Sequence, residues 1–421
     1  MPIEAEVFVA RFPVSTSVGV IAAAVGLVCV GPAWADDPLT FTASHNIAHD
    51  SNFARTETPI SDTINTTSLE LDLNKPYGRQ VYTGSAKVSA LRYSRYGELL
   101  NNDAKDLNLG FQSELMSNWR VMLDGAYGEN LNQFENNRVT DHVVRNVRTN
   151  KNANAQVVYG IAGIWAVVGS AGKNVLTYSL PEYSYLNYHQ DTRGLRAVYY
   201  STDLLNYSLG VRQVETRYHQ VGETVNENDL DLATDWVVTG LSQLHATLSL
   251  TSSKREMPAG SVVSDRRFNG LTGNLNWVYT PHGVMTYGAT LYRTANSDQF
   301  NQLYLAGVDP SSGTVTIANG QTAYHNQMTA ANLYATWNPT VKLAITASTQ
   351  WNHFKVDNDY VGGVIVNDTS DYHAYSLNSH YMVERWLKLS AGFTRYSQTK
   401  DATRNQYSGH AVNVAASFIL D

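Results

Sequence analysis

Apolar and polar side chains alternate with a period of two along most of the chain beyond residue 36. In the segment 341–352, for example, Val341, Leu343 and Ile345 fall on one face, and Lys342 and Thr346 fall on the other. A period of two places successive side chains on opposite faces of a β-strand. The pattern predicts eighteen strands, most of them near the length of about 10 residues that a tilted membrane-crossing strand requires.

The connections between these strands alternate between short turns and longer polar loops. The short turns lie near 75–79, 115–118, 160–163, 202–206, 239–242, 280–283, 337–340 and 383–386, and the largest loops lie near 129–150, 171–190, 295–325 and 353–370. This alternation is typical of outer-membrane barrels. Their sheets must close because hydrocarbon offers no hydrogen-bond partners to the backbone N–H and C=O groups of an open strand edge. The predicted fold is all-β: a single closed antiparallel transmembrane β-barrel of about 18 strands, with short periplasmic turns and long extracellular loops. A secreted β-sandwich or β-solenoid is the alternative, and it does not explain the alternating connection lengths.

Aromatic residues follow the same alternation. Six of the seven Trp residues beyond residue 35 lie within a few positions of a short turn: Trp119, Trp165, Trp236, Trp277, Trp337 and Trp386. Trp351 lies at the opposite end of its strand, and near the long-loop ends lie Tyr93, Tyr127, Tyr218, Tyr292 and Tyr396. Two aromatic levels one strand apart predict the two lipid-facing girdles of a membrane barrel.

The first 35 residues resemble a secretory signal peptide. An apolar run covers 18–30, and Ala33 and Ala35 have the small side chains that signal peptidase requires three residues and one residue before its cut. The run is shorter than the roughly 20 residues that a spanning helix needs. We therefore expect cleavage of 1–35, export across the inner membrane of a Gram-negative cell, and a barrel domain over 36–421. Cys29, the single cysteine, lies in the leader, so no disulfide is expected.

Composition narrows the functional classes. The chain has 421 residues, a formal net charge of −7 and 16% charged residues, well below the roughly 25% of a typical soluble domain. An acidic, cysteine-poor chain of this kind is neither a basic nucleic-acid binder nor a disulfide scaffold. No nucleic-acid partner is expected.

Catalytic and metal-binding patterns are absent from the sequence. The run 169–173, GSAGK, has Val168 where a nucleophile elbow needs Gly and Asn174 where a phosphate loop needs Ser or Thr. His45 and His49 share a strand face about 13 Å apart, too far for one metal ion. The sequence therefore predicts a protein that is not an enzyme and has no cofactor or metal.

Charged side chains at the inward phase of the alternation are the candidate pore-lining residues. Rings of charge set ion preference in channels, whereas the alternative is a wet wall held by salt bridges. The candidates are Glu70, Asp72, Lys87, Asp106, Arg120, Asp124, Arg196, Arg212, Asp229, Asp231, Asp235, Lys342 and Lys388.

Three loop segments carry further candidates. One loop contains four tyrosines that either stack on sugar rings or pack against the rest of the loop: Tyr178, Tyr183, Tyr185 and Tyr188. Another contains four basic residues, Arg138, Arg145, Arg148 and Lys151. These basic side chains either bind lipopolysaccharide phosphates or an acidic polysaccharide, or they are simply solvated. In 295–325, two strand patterns, 302–306 and 314–317, flank a turn signal at 309–313 and predict a hairpin. That hairpin is the candidate gate, either inside the lumen or as an extracellular flap.

A family resemblance rests on the residues that follow the first strand. Asp50, Asn52 and Arg55 form a D-x-N-[FL]-x-R pattern, and the stretch 72–80, DLNKPYGRQ, matches as well. The chain resembles EpsL-type outer-membrane barrels of exopolysaccharide gene clusters over roughly residues 40–420. The resemblance implies a non-enzymatic barrel for export or assembly of surface exopolysaccharide. Its implied partners are outer-membrane lipid and lipopolysaccharide, a polysaccharide chain and periplasmic export components.

Two other functions stay open at this stage. A barrel of this size also fits a general diffusion porin for small solutes, and a structural or adhesin-like barrel would act through its loops.

Outer-membrane barrels commonly end on an aromatic residue, whereas Phe418 lies three places before the end of this sequence. Phe418 shares a strand face with Leu420 and is the candidate for that role in insertion.

Overall fold

A computed structural model describes residues 38–132, 143–258, 266–281, 283–295, 304–309, 314–318, 326–361, 364–401 and 405–420. The expected signal peptide lies outside the described residues. Two short helical segments accompany the strands: helix α1, Gly97–Leu100, and a 3-10 helix, Pro181–Leu186. Within the described ranges, no helix is long and apolar enough to cross a membrane.

Eighteen strands form one antiparallel sheet that closes on itself. They are β1 Leu39–Asp50, β2 Asp62–Tyr77, β3 Gln80–Tyr93, β4 Asn102–Leu115, β5 Trp119–Leu131, β6 Val147–Tyr159, β7 Trp165–Tyr178, β8 Tyr188–Thr202, β9 Leu205–Tyr218, β10 Glu223–Thr239, β11 Ser242–Glu256, β12 Arg266–Tyr279, β13 Met285–Ala295, β16 Asn326–Thr340, β17 Leu343–Val361, β18 Val364–Glu384, β19 Leu387–Gln398 and β20 Tyr407–Leu420. The first and last strands pair, with Phe41 opposite Leu420 and Asp50 opposite Ala411. The predicted fold class is confirmed.

The outer face of the barrel is apolar. Val211, Leu230, Leu250 and Leu271 lie opposite one another on four consecutive strands, and they are 43–58% exposed. An exposed apolar band that continues from strand to strand is too large for a surface in water. It is the surface that a bilayer covers.

The short-turn end carries the predicted tryptophan girdle. Trp119 packs against Tyr159 with ring centroids 4.7 Å apart, and Trp165 packs against Tyr199 at 4.6 Å. Trp351 lies on the outer face at the other end, as expected, and so does Tyr127, opposite Lys151.

The other four tyrosines of the expected long-loop girdle face the lumen, so that part of the prediction is wrong. Tyr93, Tyr218, Tyr292 and Tyr396 lie on the side of their strands opposite the exposed apolar residues, and three of them are less than 9% exposed. On the extracellular side of the apolar band, both faces of the strands carry polar residues. The alternation of apolar and polar side chains therefore no longer indicates which face points into the lumen.

Two segments that were expected to be loops are largely regular structure. The segment 353–370 continues β17 and β18 as a hairpin beyond the apolar band, and 171–190 contains the end of β7, the 3-10 helix and the start of β8. The hairpin predicted within 295–325 is confirmed: β14, Tyr304–Asp309, pairs antiparallel with β15, Thr314–Ala318. Its expected gating role stays a prediction.

Candidate functional site: the inner wall of the barrel

Twelve of the thirteen charged candidates lie on strands with their side chains on the inner side, since their strand neighbours carry the exposed apolar side chains. Lys342 differs because it lies in the turn between β16 and β17. Its Nζ donates a hydrogen bond to the carbonyl oxygen of Val383, next to the periplasmic end of β18, at 2.7 Å. Lys342 is therefore a residue of the periplasmic rim and not of the wall.

Three candidates on β2, β3 and β4 form a row that we call the Glu70 strip. Glu70 lies opposite Lys87, and Lys87 lies opposite Asp106. The Lys87 Nζ is 2.5 Å from Glu70 Oε2, and Asp106 is buried. Directly opposed unlike charges stabilise a sheet pair, so this row is largely compensated.

Three candidates around the Glu70 strip differ in their partners. Asp72 follows Glu70 on the inner side of β2. Arg120 binds Glu114 across β4 and β5, with Nη2 and Oε1 2.6 Å apart. Asp124 is exposed to the lumen and has no hydrogen bond or ion pair within the described part of the chain. It is a free carboxylate of the wall.

A second group, the Arg212 strip, joins β9, β10 and β11. The Arg212 guanidinium is 2.8 Å from Asp229 Oδ2, 3.1 Å from Asp231 Oδ2 and 3.8 Å from Glu227 Oε1. Two of the carboxylates also accept hydrogen bonds from hydroxyl groups on β11. Thr251 donates to Asp229 at 2.5 Å, and Ser249 donates to Asp231 at 2.6 Å. Three carboxylates thus share one guanidinium, and the strip has a local excess of negative charge.

Two more candidates lie near the periplasmic end of this strip. Asp235 is hydrogen-bonded to His245 on the neighbouring strand. Arg196, on β8, is exposed to the lumen. The sequence analysis missed two inward-facing carboxylates, Glu227 on β10 and Glu114 on β4. The alternation on each strand could have identified them, because Glu227 has the same phase as Asp229 and Glu114 has the same phase as Asp106.

The rest of the perimeter is a neutral arc, formed by β12, β13, β16–β20 and β1. At the level of the apolar band, its described side chains include no carboxylate, ammonium or guanidinium group; Lys388 lies at the periplasmic end of β19, and Asp50 and Asp368 lie beyond the band on the extracellular side. Hydroxyl and amide groups replace them, among them Asn332, Thr336, Thr346, Ser348, Gln350, Asn352, Ser376, Asn378, Thr394 and Asn413. Several pair with one another, as in Thr336–Thr346 and Ser376–Thr394, both at 2.9 Å.

Apolar clusters thicken the inner wall at the extracellular end. In one, Phe53 from the first loop packs against Tyr93 at a centroid distance of 5.7 Å, beside Leu100 of α1. In a second, the 3-10 helix places Tyr183 against strand residues, and a third surrounds Phe354 and Tyr396. Loop segments therefore lie inside the barrel wall and narrow the mouth.

The loop tyrosines mostly pack this wall. Tyr178, Tyr183 and Tyr188 are 9%, 1% and 1% exposed, so the sugar-stacking alternative does not apply to them and the packing alternative does. Tyr185 is half-buried.

The basic loop residues do not form one patch. Arg148 takes the inward phase of β6, whereas Lys151 faces outward with its Nζ 6.0 Å from the Tyr127 ring centroid. Arg145 is exposed before β6, and Arg138 lies outside the described residues.

Asp50, Asn52 and Arg55 come together in a network that we call the seam clasp. Arg55 Nη1 is 2.8 Å from Asp50 Oδ2, and its guanidinium lies 3.8 Å above the Tyr396 ring, whose hydroxyl also contacts Asp50. Asn52 donates to the Ser408 carbonyl oxygen at 3.0 Å. The clasp ties the first loop to β19 and β20, beside the seam where β1 and β20 close the barrel.

Within the described ranges, no group of three or more His, Cys, Asp or Glu side chains is arranged to hold a metal ion. His45 and His49 hydrogen-bond separately to Thr67 and Thr63. The 169–173 run lies inside β7 and is therefore not a phosphate-binding loop.

The solved structures that this chain resembles are outer-membrane proteins of low sequence identity. No protein-family profile and no curated protein matches the chain in sequence. OccK2 (OpdF) of Pseudomonas aeruginosa has a TM-score of 0.49 and 10% identity, over 91% of this chain and 98% of that one. A BenF-like porin of Pseudomonas fluorescens Pf-5 has a TM-score of 0.48 and 11% identity, over 92% and 99%. OpdK of Pseudomonas aeruginosa has a TM-score of 0.47 and 11% identity, over 91% and 98%.

At such identities no substrate carries over to this chain. With its closed sheet, apolar outer band and tryptophan girdle, the protein is an outer-membrane β-barrel of 18 strands that resembles porins in architecture.

Proposed function

We propose that the protein is a passive diffusion channel for small hydrophilic solutes, with a preference for uncharged, hydroxyl-rich molecules such as sugars. The neutral arc carries this proposal. It covers eight of the barrel strands, β12, β13, β16–β20 and β1, and offers hydroxyl and amide groups that donate and accept hydrogen bonds. A sugar that passes along it exchanges water contacts for equivalent contacts with the wall.

The charged strips fit the same function. Most of their charges are compensated within the wall, as in Glu70–Lys87 and Arg212–Asp229. Compensated charges set a weak ion preference, because a permeating ion meets little net field. The carboxylate excess at the Arg212 strip gives that preference a cationic sign.

The narrowed extracellular mouth supports a size limit. Phe53, Tyr183 and Phe354 belong to the three clusters that line it. Bulky side chains and loop segments there reduce the free cross-section of a barrel that would otherwise leave a wide aqueous channel.

Liposome swelling with the purified protein tests the proposal. We expect neutral sugars to enter at rates that fall with their size, and planar bilayers to show stepwise conductance with a modest cation preference. Liposomes that stay impermeable to a neutral hexose, although the protein is inserted and folded, would contradict it.

Exopolysaccharide export is the second candidate, and it is supported by the family resemblance of the residues in the seam clasp. The clasp is built from Asp50, Asn52 and Arg55, the residues that carry the family resemblance. A deletion strain distinguishes the candidates: loss of surface polysaccharide with unchanged sugar uptake supports export, and the reverse supports diffusion. Glycosyltransferase and chain-length-regulator genes beside this gene would also favour export.

A further inference from the structure

A groove lies on the outer face of the barrel where β19 and β20 pair, close to the extracellular end. Its volume is about 400 Å³, and its lining consists of Phe393, Arg395, Ser408, Gly409 and His410. Arg395 lies directly opposite His410 in the strand register. The groove thus brings a guanidinium and an imidazole together on the lipid-facing side. We call it the Arg395 groove.

The Arg395 groove marks the upper edge of the apolar band. Leu377, Phe393 and Val412 lie in register on β18, β19 and β20, and they are 44–52% exposed. Two residues further toward the loops, the outward positions are Tyr375, Arg395 and His410, again in register. The outer surface therefore changes from hydrocarbon-like to cationic within about 7 Å, which is the depth of lipid headgroups.

The polar groups of the groove are positioned and available. Arg395 is exposed and has no hydrogen bond or ion pair with another described residue. The His410 ring stacks on Phe393 with centroids 6.4 Å apart. Its backbone is held by Ser51, which accepts from the His410 N–H at 2.8 Å and donates to the His410 carbonyl oxygen at 2.9 Å.

The backbone beneath the groove is also fixed from inside. Gly409 faces the lumen, where a Cβ would collide with the Tyr396 hydroxyl. Tyr396 belongs to the seam clasp, so the clasp and the groove are opposite sides of the same pair of strands. A binding group on rigid strands loses little conformational freedom when it binds.

We propose that the Arg395 groove binds a phosphate of lipid A, the anionic lipid moiety of lipopolysaccharide in the outer leaflet. A guanidinium forms charge-assisted, frequently bidentate hydrogen bonds with phosphate, and the imidazole supplies a second donor. The acyl chain of the same lipid packs along Phe393 and Val412. Both halves of the site therefore match one amphiphilic anion, and neither half depends on permeation through the lumen.

Arg193 on β8 provides a matched control. It is exposed on the outer face directly above Leu195, which is 57% exposed, and it has no partner within the described part of the chain. Its register neighbours are Ala171 and Gln213, so it has neither a second cationic group nor a ring beside it. Arg193 thus shares the depth and charge of Arg395 but lacks the groove.

The test titrates the purified, detergent-solubilised barrel with diphosphoryl lipid A and with the same lipid A lacking its phosphates, using native mass spectrometry. For Arg395→Gln combined with His410→Gln, we expect the affinity for the diphosphoryl form to fall about tenfold or more, as for the loss of a charge-assisted contact. Arg193→Gln should change it less than about twofold. Binding of the phosphate-free lipid should be weak and equal in all three proteins.

Two results would overturn the proposal. One is wild-type affinity for diphosphoryl lipid A in the double variant, with heat-dependent gel mobility confirming its fold. The other is an equal loss in Arg193→Gln, which would mean that any outward cation at this depth suffices. The single variants Arg395→Gln and His410→Gln then assign the contribution of each group.

Discussion

The Arg212 strip and the neutral arc are two parts of one inner wall, and the side chains of the two parts are paired in different ways. In the strip, one guanidinium holds three carboxylates across β9 and β10. In the arc, uncharged groups pair locally, as Gln350 does with Asn352 at 3.2 Å. Both parts share the same strand geometry, so the contrast comes from side-chain chemistry alone. It indicates that a few strands set the ion preference while most of the perimeter serves neutral solutes.

The two parts should also tolerate substitution differently. A charge in the strip depends on its cross-strand partner, because an uncompensated, partly buried charge is costly. In the arc, the loss of one hydrogen bond between hydroxyl or amide groups typically costs about 1 kcal/mol of stability.

The largest effect is expected for Arg212→Gln. This change leaves Asp229, Asp231 and Glu227 without their shared cation. We expect a loss of about 2 kcal/mol in unfolding free energy, reduced from the fully buried case because Arg212 is partly exposed. The permeability ratio of cations to anions should rise on the order of threefold, measured as the reversal potential in a KCl gradient.

Arg196→Gln is the control for that variant, since Arg196 is exposed to the lumen and its charge is not buried. It should leave the unfolding free energy nearly unchanged. Equal destabilisation by both substitutions would show that the strip is not a coupled group.

A new charge in the neutral arc should have an intermediate effect. Asn378 lies on the inner face of β18, opposite Thr346 and Gly392. Asn378→Asp should raise the cation preference about twofold and leave the swelling rate with a neutral hexose unchanged. Asn378→Ser should alter neither quantity. A large fall in hexose entry for Asn378→Asp would mean that charge and sugar passage are not separable.

Glu70→Gln should produce a smaller change of opposite sign. The change removes one negative charge from the wall, and Lys87 still faces Asp106, so the change in the local field is limited. We expect the cation preference to fall by less than about twofold in the same reversal-potential measurement. A shift toward cations would contradict the compensated arrangement of the Glu70 strip.

The smallest effect on permeation is expected at the seam clasp. Tyr396→Phe removes the hydroxyl that contacts Asp50 and Arg55, at a cost of about 1 kcal/mol. The temperature at which the barrel unfolds on a gel should fall by a few degrees, while selectivity stays as in the wild type. Altered selectivity would show that the clasp also shapes the channel.

The sequence was sufficient to predict the barrel because the information needed is local. Alternation along each strand, as in 341–352, and alternating connection lengths together define the closed antiparallel sheet. The inward phase of Glu70 and Arg212 follows from their apolar neighbours on the same strands.

What the sequence lacked was register between strands. Arg212 meets Asp229 and Asp231 only because β9 and β10 align as they do, and nothing within either strand encodes that alignment. The prediction that Tyr93 and Tyr396 face the lipid was wrong because both lie near strand ends, beyond the apolar band. There, no row of apolar side chains marks which face of the strand points outward. Packing of α1 and the 3-10 helix inside the mouth depends on distant contacts and had no periodic signal.

The proposed function requires that the inner wall favours neutral, hydroxylated solutes over charged ones. The most direct measurement compares liposome swelling by a neutral hexose and by gluconate, an anion of similar size, in the wild type and in Arg212→Gln. We expect faster hexose entry in both proteins and a further slowing of gluconate alone in the variant. Equal entry of the two solutes in the wild type, or slowing of both by the substitution, would contradict it.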